Sequence, residues 1–350
     1  MRRPPHPDSG IAYLSGRVQP PLHPIERLHF RLLAFAPYAA SCRLMPALGL
    51  TRRAMVIALP FAWLGFFFLL PFLIVLKLSF AEVVLASPPY TALFAWVEEA
   101  EGAAFRIQMT LENYRALFAE DLYLDSYLNS LKIAALSTLM ALAIGFPMAY
   151  GMARAPRAWR WPLLVLVILP FWTSFLIRVY AWIGILKNEG FLNAALLAAG
   201  IIDAPLVILN TDIAVYFGIV YSYLPFMVLP LYATLEKMDL TLLEAAADLG
   251  CRPVKAFWLI TVPLARPGII AGCLLVFIPA AGEFVTPDLL GGADTQMIGK
   301  TLWVEFFQNR DWPLSSAAAV VLVILLVAPI VAFERLQGRA LTGGGRAAGR

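Results

Sequence analysis

The chain has 350 residues, 61% of them hydrophobic and 14% charged, with three histidines and a formal charge of +4. Soluble domains carry about 25% charged residues, so this deficit excludes an ordinary soluble protein and points to the membrane. The basic balance does not mark a nucleic-acid binder, because the arginines cluster beside apolar runs, as they do in a topology signal.

Residues 1–53 are rich in proline and arginine and lack periodicity, so a basic, disordered cytoplasmic tail is expected there. Six apolar runs follow, near 54–80, 130–153, 162–186, 213–235, 267–286 and 314–333. A bilayer core takes about 20 apolar residues per helix, so each run is long enough to cross. The fold class expected is an all-α integral membrane protein with six transmembrane helices. Pro60, Pro71, Pro147, Pro170, Pro225, Pro230, Pro279 and Pro329 fall inside these runs. Kinks at so many positions suit a bundle around a cavity. The sequence divides into the tail, a first helix with an outer segment (54–129), a core (130–335) and a short cytoplasmic tail (336–350).

Loop charges set the orientation. Arg154, Arg157 and Arg160 follow the second run, and Arg335, Arg339, Arg346 and Arg350 follow the sixth. With the basic N-terminus, they place both termini in the cytoplasm. The outer segment 81–129 is acidic, with Glu82, Glu98, Glu99, Glu101, Glu112, Glu120, Asp121 and Asp125. Such a mouth concentrates cations, although part of the charge is ordinary solubility. The stretch Leu111–Phe118 has helical spacing.

The loop 236–266 carries the most specific signal. It reads Glu244-Ala245-Ala246, then Gly250, then Ile260 and Pro263. Alanines beside a glutamate make a slim helical surface. Gly250 suits a helix stop, and Pro253 suits the first position of the next helix. A short helix, a turn and a second short helix on the cytoplasmic side form a docking element.

This run resembles the EAA motif of ABC importer permeases, with Val262 in place of the usual leucine. The resemblance extends to bacterial polyamine importer permeases, the putrescine-importer subunit above all. Phe171–Asn188 (FWTSFLIRVYAWIGILKN), Tyr221–Tyr232 (YSYLPFMVLPLY), Phe277–Gly292 (FIPAAGEFVTPDLLGG) and Asn309–Pro313 carry it, and it covers residues 55–335. It implies a type I ABC importer permease fold in the bacterial inner membrane. It also implies a second homologous permease, two ATP-binding subunits and a periplasmic polyamine-binding protein. ATP and Mg would be bound by the ATPase, with no cofactor on this chain. Glu244, Ala245, Ala246, Gly250, Ile260 and Pro263 would then couple to the ATPase.

Candidate pathway residues come from polar and aromatic groups at membrane depth. Arg178 and Glu283 are the intramembrane charges, expensive to bury and therefore candidates for function or for each other's partner. Tyr221, Tyr223, Phe226 and Met227 surround the kink at Pro225, and Trp172 precedes Arg178. Aromatic faces attract ammonium groups. A structural belt or packing role is the competing reading.

Other chemistry is disfavoured. Gly299-Lys300-Thr301 matches the end of a P-loop, but Asp294 stands where its first glycine belongs. His6, His23 and His29 all lie in the tail, which removes histidine-based catalysis from the membrane part. Cys42, Cys251 and Cys273 imply no disulfide framework. The first alternative is the same kind of permease for another small solute: spermidine, an amino acid or a metal chelate. An ion-coupled secondary transporter ranks below it, because it would show inverted repeats and no clear repeat is evident.

Overall fold

The computed structural model describes residues 13–14, 17–18, 52–92, 94–99, 102–107 and 109–347. The expected disordered tail, 1–53, therefore lies almost wholly outside the described residues. The chain divides into two compact units, residues 1–74 and 75–350. The first contains a two-residue antiparallel pair, β1 (Tyr13–Leu14) with β2 (Arg17–Val18). Helix α1 (Arg52–Leu64) passes through a π turn (Gly65–Leu69) into α2 (Leu70–Leu78). Its side chains Leu59, Phe61, Trp63 and Phe68 are exposed, as a lipid-facing helix requires.

The second unit is built on helices. After an antiparallel hairpin, β3 (Phe94–Glu99) and β4 (Gly102–Ile107), come α3 (Glu112–Ala119) and the long α4 (Asp121–Arg154). Then follow α5 (Arg157–Ile168), α6 (Phe175–Leu186), α7 (Phe191–Ala198) and α8 (Asp212–Glu236). The loop after α8 holds α9 (Thr241–Asp248), α10 (Pro253–Ala256) and α11 (Val262–Leu264). Helices α12 (Arg266–Ala281), α13 (Val285–Leu290), α14 (Ile298–Trp303) and α15 (Trp312–Ala347) complete the chain.

Among the described residues, three helices are long and apolar enough to cross a membrane: Ile57–Leu78, Asp121–Arg154 and Asp212–Glu236. Two broken helices raise the count to five if each is one span. The sixth expected run begins α15, whose shorter apolar stretch is Trp312–Ala328.

Three features go beyond the sequence reading. The third run is not one rod: it bends by 89° between Trp172 and Phe175. Pro170 closes a 3₁₀ turn there, and Thr173 and Ser174 are extended, so the helical ladder is interrupted. The outer segment holds the β3–β4 hairpin beside the helix expected at Leu111–Phe118, which is α3. Within the stretch 336–350, residues 336–347 continue α15, which runs on to Ala347.

The core seam lies between α4, α8 and α12. Glycines make it close. A Cβ on Gly145 would meet Met227 Cγ at 2.9 Å, and one on Gly272 would meet Met227 Sδ at 2.8 Å. A Cβ on Gly268 would meet Thr234 Oγ1 at 2.6 Å. In lipid, helices associate through close packing of small residues, because no hydrophobic gain separates protein from acyl chain. Outside the seam, Tyr127 donates to the Ala318 carbonyl at 2.7 Å, joining α4 to α15. Asp311 caps α15 by accepting the Leu314 N–H at 2.9 Å.

Candidate functional site

The loop between α8 and α12 folds as its residues dictate. Asp239 accepts the Thr241 N–H at 3.0 Å and opens α9. At the other end Gly250 adopts φ +75°. Its N–H bonds the Ala247 carbonyl at 2.8 Å, and the Cys251 N–H bonds Ala246 at 2.9 Å. This pair of bonds is a Schellman stop, which needs a left-handed residue at that position. Pro253 then begins α10, where its missing N–H costs nothing. The short helix, turn and second short helix expected from sequence are therefore present.

One face of the loop is anchored. Ala246 and Ala256 are buried, and Phe257 packs edge-on against Phe146 and Tyr150 of α4, at 5.5 and 5.7 Å. Arg160 holds the base of the loop, donating to Glu236 at 3.2 Å and to the Ala155 carbonyl at 2.9 Å. The opposite face is open. Glu244, Ala245 and Pro263 are exposed, and Ile260 is half-buried in a π turn (Phe257–Thr261). Leu249 is 88% exposed, Val254 72% and Trp258 63%. Sequence reasoning named the motif but missed these apolar neighbours.

The second site lies where α8 meets the end of α12. Glu283 is 7% exposed and caps α13, its Oε1 accepting the Val285 and Thr286 N–H groups at 3.1 and 3.3 Å. Its Oε2 accepts the Tyr223 hydroxyl at 2.5 Å. Tyr223 packs against Phe226, and Phe226 stands edge-on to Phe171 at 5.2 Å. Gly299 backs this arrangement: a Cβ there would lie 2.5 Å from the carbonyls of Gly282 and Glu283. The P-loop-like glycine thus serves close packing.

The other candidates separate. Tyr221 turns away from Tyr223 and meets Trp182 edge-on at 5.4 Å. Trp172 is exposed at the bend. Met227 is fully buried in the seam, so it packs rather than faces an open path. The expected Arg178–Glu283 pair is not formed within 4.0 Å among the described residues. At the Asp212 end of α8, a cavity of about 550 Å³ is lined by Asp125, Asp212 and Asp294 with Lys132. Of the acids expected at the mouth, Asp125 alone lines that cavity.

Long apolar helices around a glycine seam, with a short helix–turn–helix after α8, define a helical membrane protein. The chain belongs to the family described as binding-protein-dependent transport system inner membrane component, which matches residues 141–342. It is thus a transporter permease subunit and not an enzyme. The spermidine/putrescine transport system permease protein PotB of Haemophilus influenzae is 43% identical over 284 residues, 81% of this chain and 93% of the relative. PotB of Escherichia coli K12 is 41% identical over 273 residues, 78% and 93%. Both names cover spermidine as well as putrescine, a wider cargo than the putrescine subunit that the sequence favours. A bacterial ABC transporter involved in the import of the acidic polysaccharide alginate shares the fold at a TM-score of 0.61. That match has 16% identity and covers 86% of this chain and 99% of the other. The fold is that of a type I ABC importer permease.

Proposed function

We propose that this chain is one of two paired permeases in an ATP-driven polyamine importer of the bacterial inner membrane, with putrescine the cargo favoured by the sequence. The observation that carries the cargo is the 43% identity to a spermidine/putrescine permease across most of both chains. Six spans are proposed, with both termini in the cytoplasm. A periplasmic binding protein delivers the polyamine to the outer face. Two ATP-binding subunits, which hold ATP and Mg, dock inside.

The docking element is α9–Gly250–α10. Glu244, Ala245, Ala246, Gly250, Ile260 and Pro263 set its shape, and Leu249 and Val254 supply the apolar contact. ATP-driven closure of the ATPase pair pushes this element, and the bundle changes from inward to outward access. Glu283, Tyr223 and Phe226 form the pathway group: a carboxylate for an ammonium, with aromatic faces for cation–π contact. Tyr221 and Trp172 flank the path, and Met227 packs in the seam behind it.

The test is ATP-dependent uptake of labelled putrescine and spermidine by the complete complex in proteoliposomes, with its binding protein. Saturable uptake that Glu244→Lys abolishes, with assembly unchanged, is expected. Normal uptake by that variant would remove the coupling role. An assembly that hydrolyses ATP but moves neither amine would remove the cargo.

A further inference from the structure

Two charged side chains among the described residues are more than nine-tenths buried: Glu283 at 7% exposure and Arg178 at 8%. Their situations differ. Both oxygens of Glu283 are engaged, as described above. Nε and Nη1 of Arg178 are buried without any acceptor among the described residues. Its guanidinium lies 5.7 Å from the Phe171 ring and 5.6 Å from the Phe175 ring. Phe171 contacts Phe226, which contacts Tyr223, which bonds Glu283. The two buried charges therefore belong to one aromatic-walled cluster without touching.

An unpaired buried guanidinium is expensive, so its presence calls for a use. A cationic amine cannot supply it, since protonated amines donate hydrogen bonds and accept none. Arg178 is thus no ligand for the cargo. Its charge has the sign of the cargo and opposes it, and in a poorly polarisable interior that opposition reaches beyond contact distance.

We propose that Arg178 is the counter-charge of Glu283 and sets how loosely a cationic cargo is held in the pathway. A transport site must bind well enough to admit its cargo and weakly enough to release it. A buried carboxylate alone would retain a dication. A guanidinium one aromatic layer away lowers that retention without competing for the carboxylate oxygens. This inference rests on the reading that Glu283 faces the path.

The experiment measures two quantities on the assembled complex. One is equilibrium binding of labelled putrescine to the solubilised transporter without its binding protein; the other is uptake turnover in proteoliposomes. Arg178→Gln should tighten binding about tenfold and slow turnover, while Arg178→Lys, which keeps the charge, should stay near the parent. In a Glu283→Gln background, Arg178→Gln should leave turnover near that of Glu283→Gln alone, because no carboxylate remains to retain the cargo. Unchanged or weaker binding in Arg178→Gln, with Glu283→Gln still impairing transport, overturns the counter-charge alone. Equal losses from Arg178→Gln in both backgrounds mark Arg178 as packing and also overturn it. If Glu283→Gln leaves both quantities unchanged, the pathway reading falls and this inference falls with it.

Discussion

Gly272 and Gly250 are the same residue used for opposite reasons. At Gly272 the backbone is ordinary helix and the space is missing: a Cβ would press on Met227. At Gly250 the space is open, with nothing within 4 Å, and the backbone is unusual, at φ +75°. The first glycine serves contact inside the chain. The second serves the shape of a surface that the chain itself does not cover. The seam is filled from within, whereas the loop leaves an apolar face open.

Substitutions break that comparison in a graded way. Gly272→Leu should be the most damaging, since overpacking a tight seam costs about 1–3 kcal/mol and sometimes more. A lower melting temperature and a poor yield of monodisperse complex are the expected signs. A well-folded Gly272→Leu would show that α12 can move away from Met227 freely. Gly250→Ala should cost about 1–2 kcal/mol, because alanine resists the left-handed region. The damage should stay local, with the melting temperature nearly kept and uptake reduced. Gly250→Asn should be milder, because asparagine tolerates that conformation. Equal effects of alanine and asparagine would shift the explanation from backbone to crowding. Arg160→Gln should be smallest, below about 1 kcal/mol, because its partner Glu236 is partly exposed. Salt titration of thermal stability reads it, and any loss should shrink at high salt.

The sequence showed most of the helices because lipid imposes long apolar runs on any spanning element. The runs near 130–153, 213–235 and 267–286 lie within or against α4, α8 and α12. The turn at Gly250 and Pro253 was equally plain, since its chemistry is local. The break at Thr173–Ser174 was not. Proline at 170 warned of a kink, but an 89° bend depends on what packs around it. The β3–β4 hairpin was missed although Phe94-Ala95-Trp96-Val97 is a strand-like run, because the acidic residues after it were read for charge. Glu283 was visible as a buried acid. Its partners were not, since Tyr223 is 60 residues away in sequence and the α13 N–H groups depend on a fold-specific bend.

Helix α12 has one more consequence. Its 16 residues make a rod about 24 Å long. One end meets the loop helices at a 65° elbow, the other ends beside Glu283, and Gly272 presses on Met227 between them. A stiff rod held by α8 at Gly268 and Gly272 acts as a lever, and this short stretch of contact is its pivot. A push on the elbow would then swing the Glu283 end the opposite way. Distances from α4 to spin labels at the two ends would read this directly, and shifts of equal sign at both ends would mean sliding instead. With such a lever, the size of the stroke at the carboxylate is set by where along the rod the glycine sits.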